Sequence, residues 1–118
     1  MANSHFSKIS DRTVEPVMTD LAGWRKVEGN PTMKTWRLYA SEDESIRCGR
    51  WEALPGTYHA TYEAWEFVHL IEGRIIITPD GGDPQTVGPG DAFVIEKGFK
   101  GTWKIEEKAL KHAVFVLK

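Results

Sequence analysis

From Met33 onward the chain is interrupted every few residues by Gly, Pro, Asn or Asp, and the segments between carry β-branched and aromatic side chains. This rhythm constrains the fold more than any other feature, because short strands joined by tight turns build a sandwich or a barrel and leave no room for a long helix. The candidate strands are 34–39, 46–53, 58–62, 66–71, 74–78, 85–87, 92–95, 101–105 and 112–117. Asp80-Gly81-Gly82, after the Ile75-Ile76-Ile77 run, supplies the positive φ angles of a tight hairpin. Leu54-Pro55-Gly56 and Gly88-Pro89-Gly90-Asp91 mark two further reversals. Gly73 and Gly90 stand where strands are expected to turn back, since only glycine takes φ > 0 without steric cost. Asp91 reads as a turn former that accepts backbone N–H groups.

Residues 1–32 lack this alternation and read as an N-terminal arm, with the barrel occupying 33–118. Within the arm, Asp20-Leu21-Ala22-Gly23-Trp24 suits one helical turn ended by Gly23, and nothing sustains a longer amphipathic helix.

At 118 residues the chain suits one domain with a core of its own. Fifteen Lys and Arg against seventeen Asp and Glu, with no basic block, point away from nucleic acid as a partner. The single cysteine, Cys48, excludes an internal disulfide and a multi-cysteine zinc site, and reads as a small core residue. A reducing cytoplasmic setting is the expectation. Neither the first ten residues nor the longest apolar run, 113–117, has the length of a signal or a membrane span, so no membrane is expected.

Alternation also assigns faces. Glu66, Val68 and Leu70 share one side of their strand, and Phe67, His69 and Ile71 the other. Both sides are apolar enough to place the strand between a barrel lumen and a second sheet or subunit, which implies a homodimer. A carboxylate among such neighbours is costly to bury unless it is paired, so Glu66 is the candidate catalytic acid or base. Tyr62, four residues earlier, can present a hydroxyl to it. The five tryptophans are many for this length. Trp51 and Trp103, with Tyr58, Tyr62 and Trp65, can close a pocket of roughly 300–1,000 Å³ over a ligand, or simply fill the barrel. His59 is a candidate ligand-binding residue or a strand-end surface residue, whereas His69 reads as a packing or interface residue.

The stretch from Gly56 to Glu66, containing His59, and the later Gly73 resemble the first cupin motif. Gly90-Asp91 followed by Lys97-Gly98-Phe99-Lys100-Gly101 resembles the second. Gly49-Arg50-Trp51-Glu52, Ile71-Glu72-Gly73-Arg74, Gly90-Asp91-Ala92-Phe93 and Gly98 to Trp103, with Lys111-His112 downstream, resemble one subgroup. It comprises the small RmlC-like cupins related to (S)-ureidoglycine aminohydrolase and the ethanolamine-utilisation cupin. The resemblance implies an all-β fold, a single small jelly-roll barrel with an N-terminal arm. The family's metal site resembles three histidines and a carboxylate. Here Glu66 keeps the carboxylate and His59 matches the first histidine, while Thr61 and Gly101 occupy the other two positions and Glu96 replaces a proline. Catalytic transition-metal sites normally take at least three protein ligands, so metal and cofactor are left unassigned.

Three functions follow as expectations. The first is a pocket inside the barrel for a small polar metabolite, without a complete histidine metal site, contacted by Glu66, Tyr62 and His59. The alternatives are a metal-dependent hydrolase resembling (S)-ureidoglycine aminohydrolase and a non-catalytic protein-interaction module with exposed apolar patches. What lies beside Glu66 separates them.

Overall fold

A computed structural model describes residues 5–117. It contains eight strands: β1 (Trp24–Glu28), β2 (Met33–Ala40), β3 (Ile46–Ala53), β4 (Gly56–Thr61), β5 (Trp65–Pro79), β6 (Gln85–Val87), β7 (Ala92–Ile95) and β8 (Lys100–Val116). One 3-10 turn, Ile9–Asp11, is the only helical segment among the described residues. The two long strands β5 and β8 run antiparallel along nearly their whole length, from Trp65 opposite Val116 to Pro79 opposite Gly101. The other edge of β8 is shared, with β4 along its first half and β3 along its second. The Leu54-Pro55 corner lets β3 and β4 lie end to end on this one strand, and β2 and β1 extend the sheet beyond them.

β6 and β7 each pair only with β5, so the curled sheet stays open between them. The result is a half-barrel with a seam. Its interior is packed with Trp51, Tyr58, Val68, Leu70, Ile75, Trp103 and Ile105, and Trp24, Phe93 and Phe99 close over that core.

Three features depart from the reading by turn signals. Gly73 does take a positive φ, 101°, but the chain does not reverse there. Instead β5 continues through a series of register shifts between Leu70 and Ile75, so the glycine serves a bulge that bends the strand. A side chain at this position would meet the Lys108 carbonyl at 2.6 Å and Ala109 Cα at 2.7 Å, which shows how closely β8 crosses it. Second, 101–105 and 112–117 belong to one strand, because Glu106 to Lys108 remain extended despite their polar character. Third, the segment read as an arm contributes β1, which pairs with β4 from Trp24 opposite Ala60 to Glu28 opposite Thr57. Its approach is fixed by the turn at Gly23, by the Val17 and Thr35 bridge, and by the Tyr58 hydroxyl donating to Asp20 at 2.8 Å. Asp91 accepts the Gly88 N–H at 2.8 Å, as its turn role requires.

Candidate functional site

Period-two alternation brings Glu66, Val68 and Leu70 of β5 to the interior, and likewise Trp103, Ile105, Ala109, Lys111 and Ala113 of β8. Glu66 is 0% exposed and Lys111 1% exposed. They meet directly, with Lys111 Nζ donating to Glu66 Oε2 at 2.6 Å. The other carboxylate oxygen, Oε1, accepts the Tyr62 hydroxyl, also at 2.6 Å. Tyr62 lies just after β4 and is held by two backbone bonds, its N–H to the Phe99 carbonyl and the Gly98 N–H to its own carbonyl, both 2.9 Å.

The ammonium lies within a box of rings. Lys111 Nζ is 4.5 Å from the Trp51 ring centroid, 4.7 Å from that of Trp103 and 5.9 Å from that of Trp24. The π faces carry negative charge density and stabilise a desolvated cation, each such contact contributing up to about 2 kcal/mol. Trp24 packs on Trp103 at 5.0 Å, and Trp51 packs edge-on to Trp103 at 5.8 Å. Trp51 Nε1–H donates to Met33 Sδ at 3.3 Å, which orients its ring over the lysine.

Burial dominates the proton equilibria here. It pulls the Lys111 ammonium below its ordinary value, opposed by the attraction of Glu66. It pushes the Tyr62 phenol well above its ordinary value, and the neighbouring Glu66 charge adds to this. Tyr58 is raised as well, first by burial and then by its bond to Asp20. Lys111 and Glu66 carry opposite charges and form one buried ion pair.

Of the residues singled out from sequence, Glu66, Tyr62, Trp51 and Trp103 converge on this network. His59 does not. It shares β4 with the inward Tyr58 and Ala60 but has the opposite parity, and its Nε2 pairs with the Asp80 carboxylate at 3.0 Å on the outside. Trp65 has the parity of Phe67 and lies on the outer side, and its expected place among the rings is taken by Trp24. Lys111 was not singled out from sequence as a site residue. The signal was available, since Lys111 follows Trp103 and Ile105 in odd positions and sits between two inward alanines. Only a continuous β8 makes that parity meaningful.

The donor set does not fit the metal that the fold family implies. Both Glu66 oxygens are already engaged, and His59 faces away. Gly101, at the third histidine position, has no space for a side chain, because a Cβ there would collide with the Thr78 carbonyl and come within 2.7 Å of the Phe99 ring. Among the described residues no group of three or more His, Cys, Asp or Glu could hold a metal ion. The nearest cation to Glu66 is therefore the protein's own lysine.

Beside the aromatic box, in the seam between β6 and β7, lies a groove of about 380 Å³. Ile77, Val87, Phe93, Ile95 and Phe99 form its apolar lining, and Gln85, Glu96 and Lys97 stand among its polar residues. It communicates with the core through shared residues. Phe93 packs against Trp103 at 6.0 Å, Phe99 against Tyr62 at 5.6 Å, and Ile77 is the cross-strand partner of Trp103.

The curled all-β sheet with inward aromatic and charged residues defines a small RmlC-like cupin. The EutQ-like cupin domain profile matches residues 40–113, more than half of the chain, and the chain belongs to that family. Among solved structures, the Clostridium difficile EutQ protein is 25% identical with a TM-score of 0.64, covering 73% of this chain and 63% of its own. The chain thus spans less than two thirds of that relative. A putative ethanolamine utilization protein Q from Salmonella typhimurium is 17% identical with a TM-score of 0.65, covering 72% of this chain and 69% of its own. An RmlC-like cupin from Shewanella frigidimarina is 14% identical with a TM-score of 0.65 and covers 98% of this chain and 93% of its own, a likeness of fold alone. No curated protein matches the sequence.

Proposed function

We propose that this protein is a metal-independent cupin that binds a small polar metabolite in the seam groove, with the barrel interior held by an internal cation. The observation that carries the reading is the 2.6 Å bond from Lys111 Nζ to Glu66 Oε2, inside the ring box where a cupin metal would be expected. A lysine is fixed to the chain, so the interior needs no metal to neutralise Glu66. The groove is of ligand-binding size and combines an apolar lining with a few polar groups, as small-molecule sites do.

In this reading Glu66 is the counter-ion of Lys111, and Tyr62 orients it. Trp51 and Trp103 hold the ammonium. His59 with Asp80 takes no part. The test is elemental analysis of protein purified without chelators, before and after incubation with manganese, iron or zinc. No stoichiometric metal is expected. One ion per chain, lost in Glu66→Ala, would overturn the reading and favour the metal-dependent hydrolase.

The outer face supports a second proposal, a homodimer. Val94, Phe67, Val114, Cys48 and Tyr39 are successive cross-strand partners over β7, β5, β8, β3 and β2, and form an apolar row across the sheet. Phe67 at 38% and Val94 at 45% are more exposed than residues of this size in a fully covered sheet.

A further inference from the structure

The seam groove follows the edge of a strand. Among the described residues β7 pairs only with β5, so its other edge is unpaired. Phe93, Val94, Ile95, Glu96 and Lys97, consecutive in the chain, all line the groove, which therefore runs along that edge. The phase of the ladder fixes which backbone groups are free. Leu70 N–H donates to the Asp91 carbonyl at 2.9 Å. In an antiparallel pair, residues that exchange such bonds alternate with residues that do not. The next bonded pairs are then Val68 with Phe93 and Glu66 with Ile95. Val94, opposite Phe67 between them, turns its N–H and its carbonyl away from β5 to the unpaired edge where the groove lies. Such an edge is a template for another strand-like group.

We infer that the groove takes a small acylated amino acid amide, in effect a one-residue strand, whose N–H donates to the Val94 carbonyl and whose carbonyl accepts the Val94 N–H. This deepens the proposed function and rests on its groove. A donor and an acceptor side by side on one residue are matched by the N–H and C=O of one α-amino acid residue, as in any bonded antiparallel pair. Acyl and amide caps remove the terminal charges, which an apolar lining does not partner. Alternation places the caps. The groups on either side of the pair lie opposite Phe93 and Ile95, whose side chains pack on the core, so an apolar acyl group enters toward Ile77, Val87 and Phe99. Gln85 of β6, also in the lining, adds a side-chain amide that can pair with the amide cap. At about 380 Å³ the groove is near the lower end of small-molecule sites, which suits one residue with its caps rather than a long peptide. Val94 is in this account a ligand-binding residue through its backbone.

The experiment follows the backbone amides of the ¹⁵N-labelled full chain. In the free protein the Val94 N–H should exchange with solvent faster than those of Phe93 and Ile95, which the ladder protects. The probes are N-hexanoylglycinamide, the same molecule methylated on the glycine nitrogen, and toluene as an apolar filler. N-hexanoylglycinamide is expected to move the signals of Val87, Val94 and Ile95 and to slow exchange at Val94. The methylated probe, which lacks the donor, should bind about tenfold more weakly, the loss of one hydrogen bond. Val94→Pro removes an N–H that the ladder does not use, a position where an edge strand tolerates proline. It should weaken N-hexanoylglycinamide by a similar factor and leave toluene unchanged. The methylated probe makes the corresponding test on the parent chain, without a substitution. The inference is overturned if the methylated probe binds as tightly as its parent, if Val94 N–H is as protected in the free chain as its neighbours, or if N-hexanoylglycinamide moves Val87 and Ile95 without slowing Val94. Each of those results leaves the groove standing as a site. If neither amide nor toluene moves any groove signal, the groove itself fails, and the inference falls with it.

Discussion

At the scale of single residues, Tyr62 and Lys111 respond to the same burial in opposite directions. Tyr62 keeps its proton above its ordinary value of 10.0 in the folded chain. Between 10.0 and the raised folded value, the folded state holds a proton that the unfolded state loses, so this residue's contribution to stability falls as pH rises past about 10. Lys111 is depressed below 10.5. Between its folded value and 10.5 the unfolded state holds the extra proton, so its contribution rises with pH over that window. Tyr62→Phe should therefore be less stable than the parent at neutral pH, by about 1–3 kcal/mol for a hydrogen bond to a charged group. The gap should narrow above pH 10. Urea midpoints of the two proteins between pH 7 and 11 check this, and a gap constant with pH would contradict it. Glu66 and Tyr62 were legible in sequence because a carboxylate on an apolar strand requires a partner. Its lysine partner was not, because the two are 45 positions apart and meet only through the pairing of β5 with β8.

At the scale of elements, turn chemistry identified most strands and their order but overcounted them. Asp80-Gly81-Gly82 and Gly88 to Asp91 are turns in the structure, whereas Gly73 bends a strand that continues. A glycine reports that a positive φ is needed, and both a turn and a bulge meet that description. β1 escaped notice for a related reason. Only Trp24 of its five residues is even partly buried, so no alternation marks it. The bulge makes a definite prediction. Gly73→Ala combines an unfavourable φ with a collision against the β8 backbone, and should lower stability by at least about 1–3 kcal/mol. Gly81→Ala has the same sign of φ but nothing within 4 Å, and should cost less. Thermal unfolding of the pair measures the difference, and equal losses would show that β8 does not press on Gly73.

At the scale of the whole molecule, one face of the curled sheet holds the charge network and the other carries the apolar row through Phe67. Sedimentation equilibrium across the micromolar range should give a dimer for the parent and a folded monomer for Phe67→Glu, because a charge in a dry self-complementary contact has no partner. A parent that remains monomeric would remove the dimer proposal and leave the interior unaffected. The interior is the central claim, and a double-mutant cycle on Glu66 and Lys111 tests it most directly. Lys111→Met and Glu66→Leu each strand a buried group without its partner and should each cost about 3–5 kcal/mol. The double variant replaces a neutral pair with apolar side chains, and should recover most of one single loss. Additive losses in urea denaturation would mean that the two residues do not stabilise each other, and that the barrel is not held by its own lysine.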